Sequence, residues 1–144
     1  MAGEDAGPEP TPPSPASSPP RRVTVRTMAR GAMCALDSPR RMFFNSGARL
    51  LDLLTEAKIE VEASHFVGPP NWTRETAVFV GMGRQNSGGY AVEVVEAWAE
   101  TRALGVKVRV TRPPVGSNVT MAITSPFHLA VLGARAPMVR FEDV

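Results

Sequence analysis

Thr76-Ala77-Val78-Phe79-Val80-Gly81-Met82 decides the fold, because its apolar residues fall on both parities. A strand that alternates apolar and polar residues buries one face, whereas one apolar on both parities is covered on both. The segment is therefore read as a central strand with a layer on either side. Its second layer is supplied by the stretch after Asn45, where Leu50, Leu51, Leu53, Leu54 and Ala57 recur at helical spacing. Asn45 or Ser46 can cap the free amides of that stretch, so a helix is predicted from about Ser46 to Lys58.

Downstream, period-two alternation dominates. Val106, Val108 and Val110 alternate with Lys107, Arg109 and Thr111, three β-branched residues for a core and three polar ones for water. Tyr90, Val92, Val94 and Trp98 share one parity of the preceding strand, and the Thr101–Gly105 link contains a glycine suited to a hairpin. The two segments are expected to pair. Val119, Met121 and Ile123 share parity with Phe127, Leu129 and Val131, which predicts one long bent strand with a bulge or corner at Thr124–Pro126. Weaker strands are expected at Val23–Met28 and Arg41–Phe44, with a short final one at Met138–Phe141. The fold class that follows is α+β: a mostly antiparallel, strongly bent β-sheet or open barrel with one covering helix.

Half of the 14 prolines lie in the first twenty positions, a stretch that lacks any aromatic or branched aliphatic residue. Such a segment cannot bury enough apolar surface to offset chain entropy, so residues 1–22 are expected to form a disordered Pro-rich tail before one domain, 23–144. A chain of that length buries a sufficient core without disulfide or metal. Cys34 is the single cysteine, which excludes an intramolecular disulfide and reads as a small buried residue. The pI is 9.2, yet the formal charge is only +2 and the basic residues are scattered. Without interleaved aromatics they read as solvated strand faces, and no nucleic-acid partner is expected.

No stretch approaches the length of a membrane span, and Met1-Ala2-Gly3-Glu4-Asp5 is acidic where a secretory signal would be basic and then apolar. As written, the chain is expected to be cytoplasmic, with export as the alternative if the true start lies upstream. Asn71-Trp72-Thr73 and Asn118-Val119-Thr120 match the glycosylation acceptor pattern and, without an export signal, are read as chance.

Catalytic motifs are not found. Gly81-Met82-Gly83 follows an apolar strand, but the third glycine of a dinucleotide fingerprint is Asn86 and a strand, not a helix, follows Tyr90. No serine sits in a Gly-x-Ser-x-Gly elbow, no second ligand stands at metal spacing from His128, and His65 lies in an unpatterned loop. His128 is read as a hydrogen-bonded structural residue. No enzyme activity, cofactor or metal is expected. Gly88 and Gly89 are read as supplying backbone angles closed to other residues, and the polar loop that ends in Tyr90 as a candidate contact surface.

Two short signatures carry a family resemblance. Gln85-Asn86-Ser87-Gly88-Gly89-Tyr90-Ala91-Val92-Glu93-Val94 and Thr120-Met121-Ala122-Ile123-Thr124-Ser125-Pro126-Phe127-His128-Leu129 together resemble the C-terminal domain of the protease-complex subunit PrcB. That family has a Pro-Thr-Gly-Gly-Tyr-like loop opening a strand and a Thr-Ser-Pro-(Tyr/Phe)-His segment near its end. The likeness runs from about Arg26 to Phe141, with Asn86-Ser87 in place of Pro-Thr and without the family's usual secretion signal. It implies a non-enzymatic accessory or protein-binding domain that stabilises or regulates a protease complex, with a peptidase as the candidate partner. The hypothetical partner-binding residues are Asn86, Ser87, Gly88, Gly89, Tyr90, Asn118, Ser125, Pro126 and His128. A small-molecule or peptide-ligand module is the alternative. A peptidase inhibitor is the third reading, since Gly89-Tyr90 is similar to part of the chagasin-type inhibitor loop.

Overall fold

The computed structural model describes residues 21–61 and 69–144; most of the expected tail, and His65, lie outside the described residues. The elements in chain order are β1 (Arg21–Val23), β2 (Val25–Gly31), β3 (Arg40–Phe44), α1 (Gly47–Ala57), β4 (Thr76–Gly81), β5 (Ala91–Glu100), β6 (Ala103–Thr111), β7 (Phe127–Leu132) and β8 (Val139–Asp143). Arg21 and Arg22, assigned to the tail by composition, already belong to the first strand.

The strands form two four-stranded sheets, β1-β5-β6-β8 and β2-β7-β4-β3. Pairing is antiparallel except for β6 with β8. Neither sheet closes into a barrel. Only Thr24 separates β1 from β2, so the chain changes sheet there, and the Gly133 N–H donates to the Thr24 carbonyl at 2.9 Å to hold the corner. On the opposite side of the sandwich the two edge strands β3 and β8 are linked by the Arg41–Asp143 ion pair at 2.5 Å.

β4 is covered on both faces, as its sequence requires. Val78 and Val80 join the cluster between the sheets, with Ala130 and Leu132 of β7 and Val92, Val106 and Val108 opposite. Ala77 and Phe79 face the other way, onto Leu50, Leu53 and Ala57 of the helix. Each of the four β4 residues is completely buried, so the order of layers is sheet, sheet, helix. Ser46 is the helix cap and accepts a hydrogen bond from the Arg49 N–H, while Lys58 ends the helix at φ 54°. Asn45 does not cap. Its amide donates to the Ala136 carbonyl at 3.1 Å, and its oxygen accepts from the Thr76 hydroxyl at 3.2 Å.

Two expectations are overturned. The β5–β6 hairpin exists, but Thr101 and Arg102 alone make its turn, with Arg102 at φ 59° and Glu100 opposite Ala103. Gly105 is a strand residue paired with Trp98. The register of β5 slips between Val94 and Glu96, and that one extra residue inverts the side-chain phase. Ala97 rather than Trp98 is therefore fully buried in the core. Trp98 lies on the outer face across Gly105, where a Cβ would collide with the indole ring. Lys107 and Arg140 stand over that ring at 5.8 and 5.9 Å. Arg140 also pairs with Glu100 at 2.5 Å and holds its carboxyl below the usual range.

The long strand expected from Val119 onward begins only at Phe127. Before it, residues 112–126 follow an irregular path whose one ladder-like contact is an isolated bridge between Gln85 and Thr124. Met121 and Ile123, read as core residues, are 86% and 48% exposed. The final strand is present and pairs parallel to β6.

The indole over Gly105 makes a direct test. Gly105→Ala should destabilise the domain by about 1–3 kcal/mol, because the new methyl overlaps a packed ring. In a denaturant-unfolding cycle, the same change made in Trp98→Ala should cost far less. Equal costs in both backgrounds would mean that Gly105 is needed for another reason.

Candidate functional site

Each half of the candidate site needs the other to hold its shape. The Gln85 N–H donates to the Thr124 carbonyl at 2.7 Å, and the Thr124 N–H returns to the Gln85 carbonyl at 2.9 Å. The Gly88 N–H donates to Thr120 at 2.8 Å, and the Thr124 hydroxyl donates to the Ser87 carbonyl at 2.8 Å. Four hydrogen bonds thus lace residues 85–88 to residues 120–124. Gly89 has φ 90°, and a Cβ there would come within 2.8 Å of Pro113. Both the angle and the close approach demand glycine. The two loops lie at the same end of the sheets, as the hairpin implies, and the Thr101–Arg102 turn closes the other end of that hairpin.

The nine residues singled out from sequence divide into two groups. Asn86, Gly89 and Asn118 are exposed, and Ser87, Gly88 and Tyr90 are partly so. Ser125, Pro126 and His128 are buried, which removes them from any direct contact surface. Their work is internal. The Ser125 hydroxyl donates to the Leu36 carbonyl at 2.6 Å and lies 3.4 Å from the Cys34 sulfur, while its N–H donates to Ala32 at 2.9 Å. The Pro126 carbonyl accepts from the Met82 N–H at 3.0 Å. These contacts fasten the Ala32–Leu36 segment and the end of β4 to the start of β7.

His128 is only 2% exposed and joins three strands. Its Nδ1 accepts from the Val94 N–H of β5 at 2.9 Å, and its Nε2 lies 2.9 Å from the Thr27 hydroxyl of β2. Because Nδ1 accepts, the neutral ring carries its proton on Nε2 and donates it to Thr27. Burial, aided by the Arg30 charge, pushes the imidazole pKa down to about 4, against a smaller upward pull from Glu93.

Sequence reasoning missed Val115, Met121 and Ile123, all exposed on the second loop, the first of them completely. The available signals were Pro113, Pro114, Gly116 and Asn118, which mark a turn rather than a strand. A turn is present: the Ser117 N–H donates to the Pro114 carbonyl at 3.0 Å, and Gly116 has φ 85°. Among the described residues, no three His, Cys, Asp or Glu side chains are grouped to hold a metal ion. No helix among them is long and apolar enough to cross a membrane.

The family described as PrcB C-terminal matches residues 76–132, which supports the resemblance drawn from the two signatures. The matched span runs from β4 to His128 and the end of β7, and so contains both loops of the site. No curated protein and no solved structure matches the chain.

The histidine sets a pH dependence. Its folded pKa is depressed below the ordinary value of about 6.5, so it favours the fold fully above that value and loses this contribution as pH falls toward about 4. The loss should be on the order of 3 kcal/mol. Denaturant unfolding of wild type and His128→Asn over that window checks it, since the variant should lack this part of the slope. Identical slopes would assign the pH dependence to carboxylates.

Proposed function

We propose that this domain is a non-enzymatic protein-binding module that acts as an accessory part of a peptidase complex and attaches through its loop end. The observation that carries the reading is the exposure of Val115, Met121 and Ile123 on a loop pinned by hydrogen bonds to the Asn86–Tyr90 loop. Large apolar side chains held outside a core cost solvation free energy that a partner surface recovers. Polar Asn86 and Asn118 lie on the same two loops and supply the hydrogen bonds that give such a contact its register.

The peptidase element rests on the family match over 76–132 together with the resemblance to a protease-complex subunit. The non-enzymatic element rests on chemistry. His128, the nearest approach to a general base, has both ring nitrogens engaged in the fold. Cys34 is buried against Ser125, and that hydroxyl already serves the Leu36 carbonyl. A nucleophile-base pair in reach of a substrate is not assembled from these groups.

With the full chain as bait, a peptidase should co-purify from the source cells. Met121→Ser combined with Asn118→Ala should weaken that capture about tenfold or more, as expected for the loss of an apolar contact at the centre of an interface, with circular dichroism unchanged. Arg102→Ala, at the opposite turn, should leave it intact. Capture that survives the loop pair but fails with Arg102→Ala would put the contact surface at the wrong end.

A further inference from the structure

A cleft of about 390 Å³ opens at this same end, between the sheets, where β3 and β4 meet the ends of β5 and β6. Its floor is Met82, Val92 and Val110, an outward continuation of the core between the sheets. Its rim carries Arg40, Arg41 and Arg112. Arg40 is engaged by Glu56 through two hydrogen bonds of 3.0 and 2.7 Å, and Arg41 by Asp143 at 2.5 Å. Arg112 is exposed, and the described ion pairs bring no carboxylate to it.

An apolar floor beside a single uncompensated guanidinium, that of Arg112, suits a ligand that carries both an apolar group and a negative charge. Ligand clefts are commonly apolar with a few placed polar groups, and a cavity of this volume lies within their range. A guanidinium presents a planar fork that matches a carboxylate, and its aliphatic stem can lie along apolar surface. Gln85, part of the laced loop, also lines the cleft. A chain docked on the loops would therefore pass its mouth.

We propose that the cleft receives an acidic peptide segment of the protein partner, with a bulky apolar side chain on Met82, Val92 and Val110 and the adjacent carboxylate on Arg112. This assignment rests on the protein-binding reading of the loop end.

The probe is the capped dipeptide acetyl-Leu-Glu-amide, titrated into the full chain and followed by NMR, against acetyl-Leu-Gln-amide. Saturable shifts at Met82, Val92 and Val110 are expected with the acidic peptide, and about fivefold weaker binding with the neutral one, the factor supplied by one partly exposed ion pair. Arg112→Gln should reduce the acidic peptide to the affinity of the neutral one and leave the latter unchanged. Arg102→Gln, the same charge change at the far turn, should alter neither. Equal affinities for the two peptides, no saturable shift at the floor residues, or an unaltered preference in Arg112→Gln would overturn the assignment. Cleft binding with partner capture indifferent to the Met121 and Asn118 substitutions would retire the loop surface alone. Capture that needs those residues while the dipeptide does not bind would retire the cleft alone.

Discussion

The relative position of the two sheets depends on a buried imidazole. β1 pairs with β5 at Ala97–Ala99 and then leaves for the other sheet at Thr24, so the part of β5 before Ala97 has no strand on that side. A buried N–H without an acceptor there would cost on the order of 1–3 kcal/mol. The Val94 N–H is answered instead by Nδ1 of His128, reaching across from β7. The bulges follow the same point: β5 slips register just after Val94, and β2 slips just after Thr27, the residue at the other ring nitrogen. His128 thus joins the two sheets where both bulges fall, and does so as a neutral ring with Nδ1 accepting.

This explains which parts of the fold were legible in the sequence. The double apolar parity of β4, the Leu50, Leu53 and Ala57 spacing of α1 and the Val106–Val110 alternation report burial of faces that are found where the pattern requires, whereas Leu51, read with the same helical face, is exposed. A bulge leaves no such trace. Residues 90–98 read equally well as one uninterrupted phase, and only the unpaired residue between Val94 and Glu96 moves Trp98 outside and Ala97 inside. The alternation at Val119–Ile123 misled for the opposite reason: it has the period of a strand but only one bridge, at Thr124, to make one. Period-two patterning states that a segment fits a pleated surface, not that a neighbouring strand exists to complete the ladder.

The candidate site was legible in location and less so in composition. The glycine loop and the Thr124–His128 segment do come together, through Gln85 with Thr124 and Ser87 with Thr124. Yet Gly89, Ser125, Pro126 and His128, four of the residues that define the family resemblance, are explained by backbone angle, close approach or internal hydrogen bonds. They describe how this fold closes. Among the residues between them, Val115, Met121 and Ile123 are exposed and carry the apolar surface.

Such a division of labour favours recognition on energetic grounds. A free loop loses conformational entropy on binding, which subtracts from the contact energy it gains. Here residues 85–88 and 120–124 hold each other through four hydrogen bonds, while Ser125 and Pro126 anchor the second loop to the buried start of β7. Much of the ordering cost of these two segments is therefore met by the folding of the domain itself. The sequence between those anchors can change without disturbing the core, because Asn86, Val115, Asn118 and Met121 contribute little to it. A scaffold closed by buried polar residues therefore leaves the intervening surface free to vary without loss of the fold.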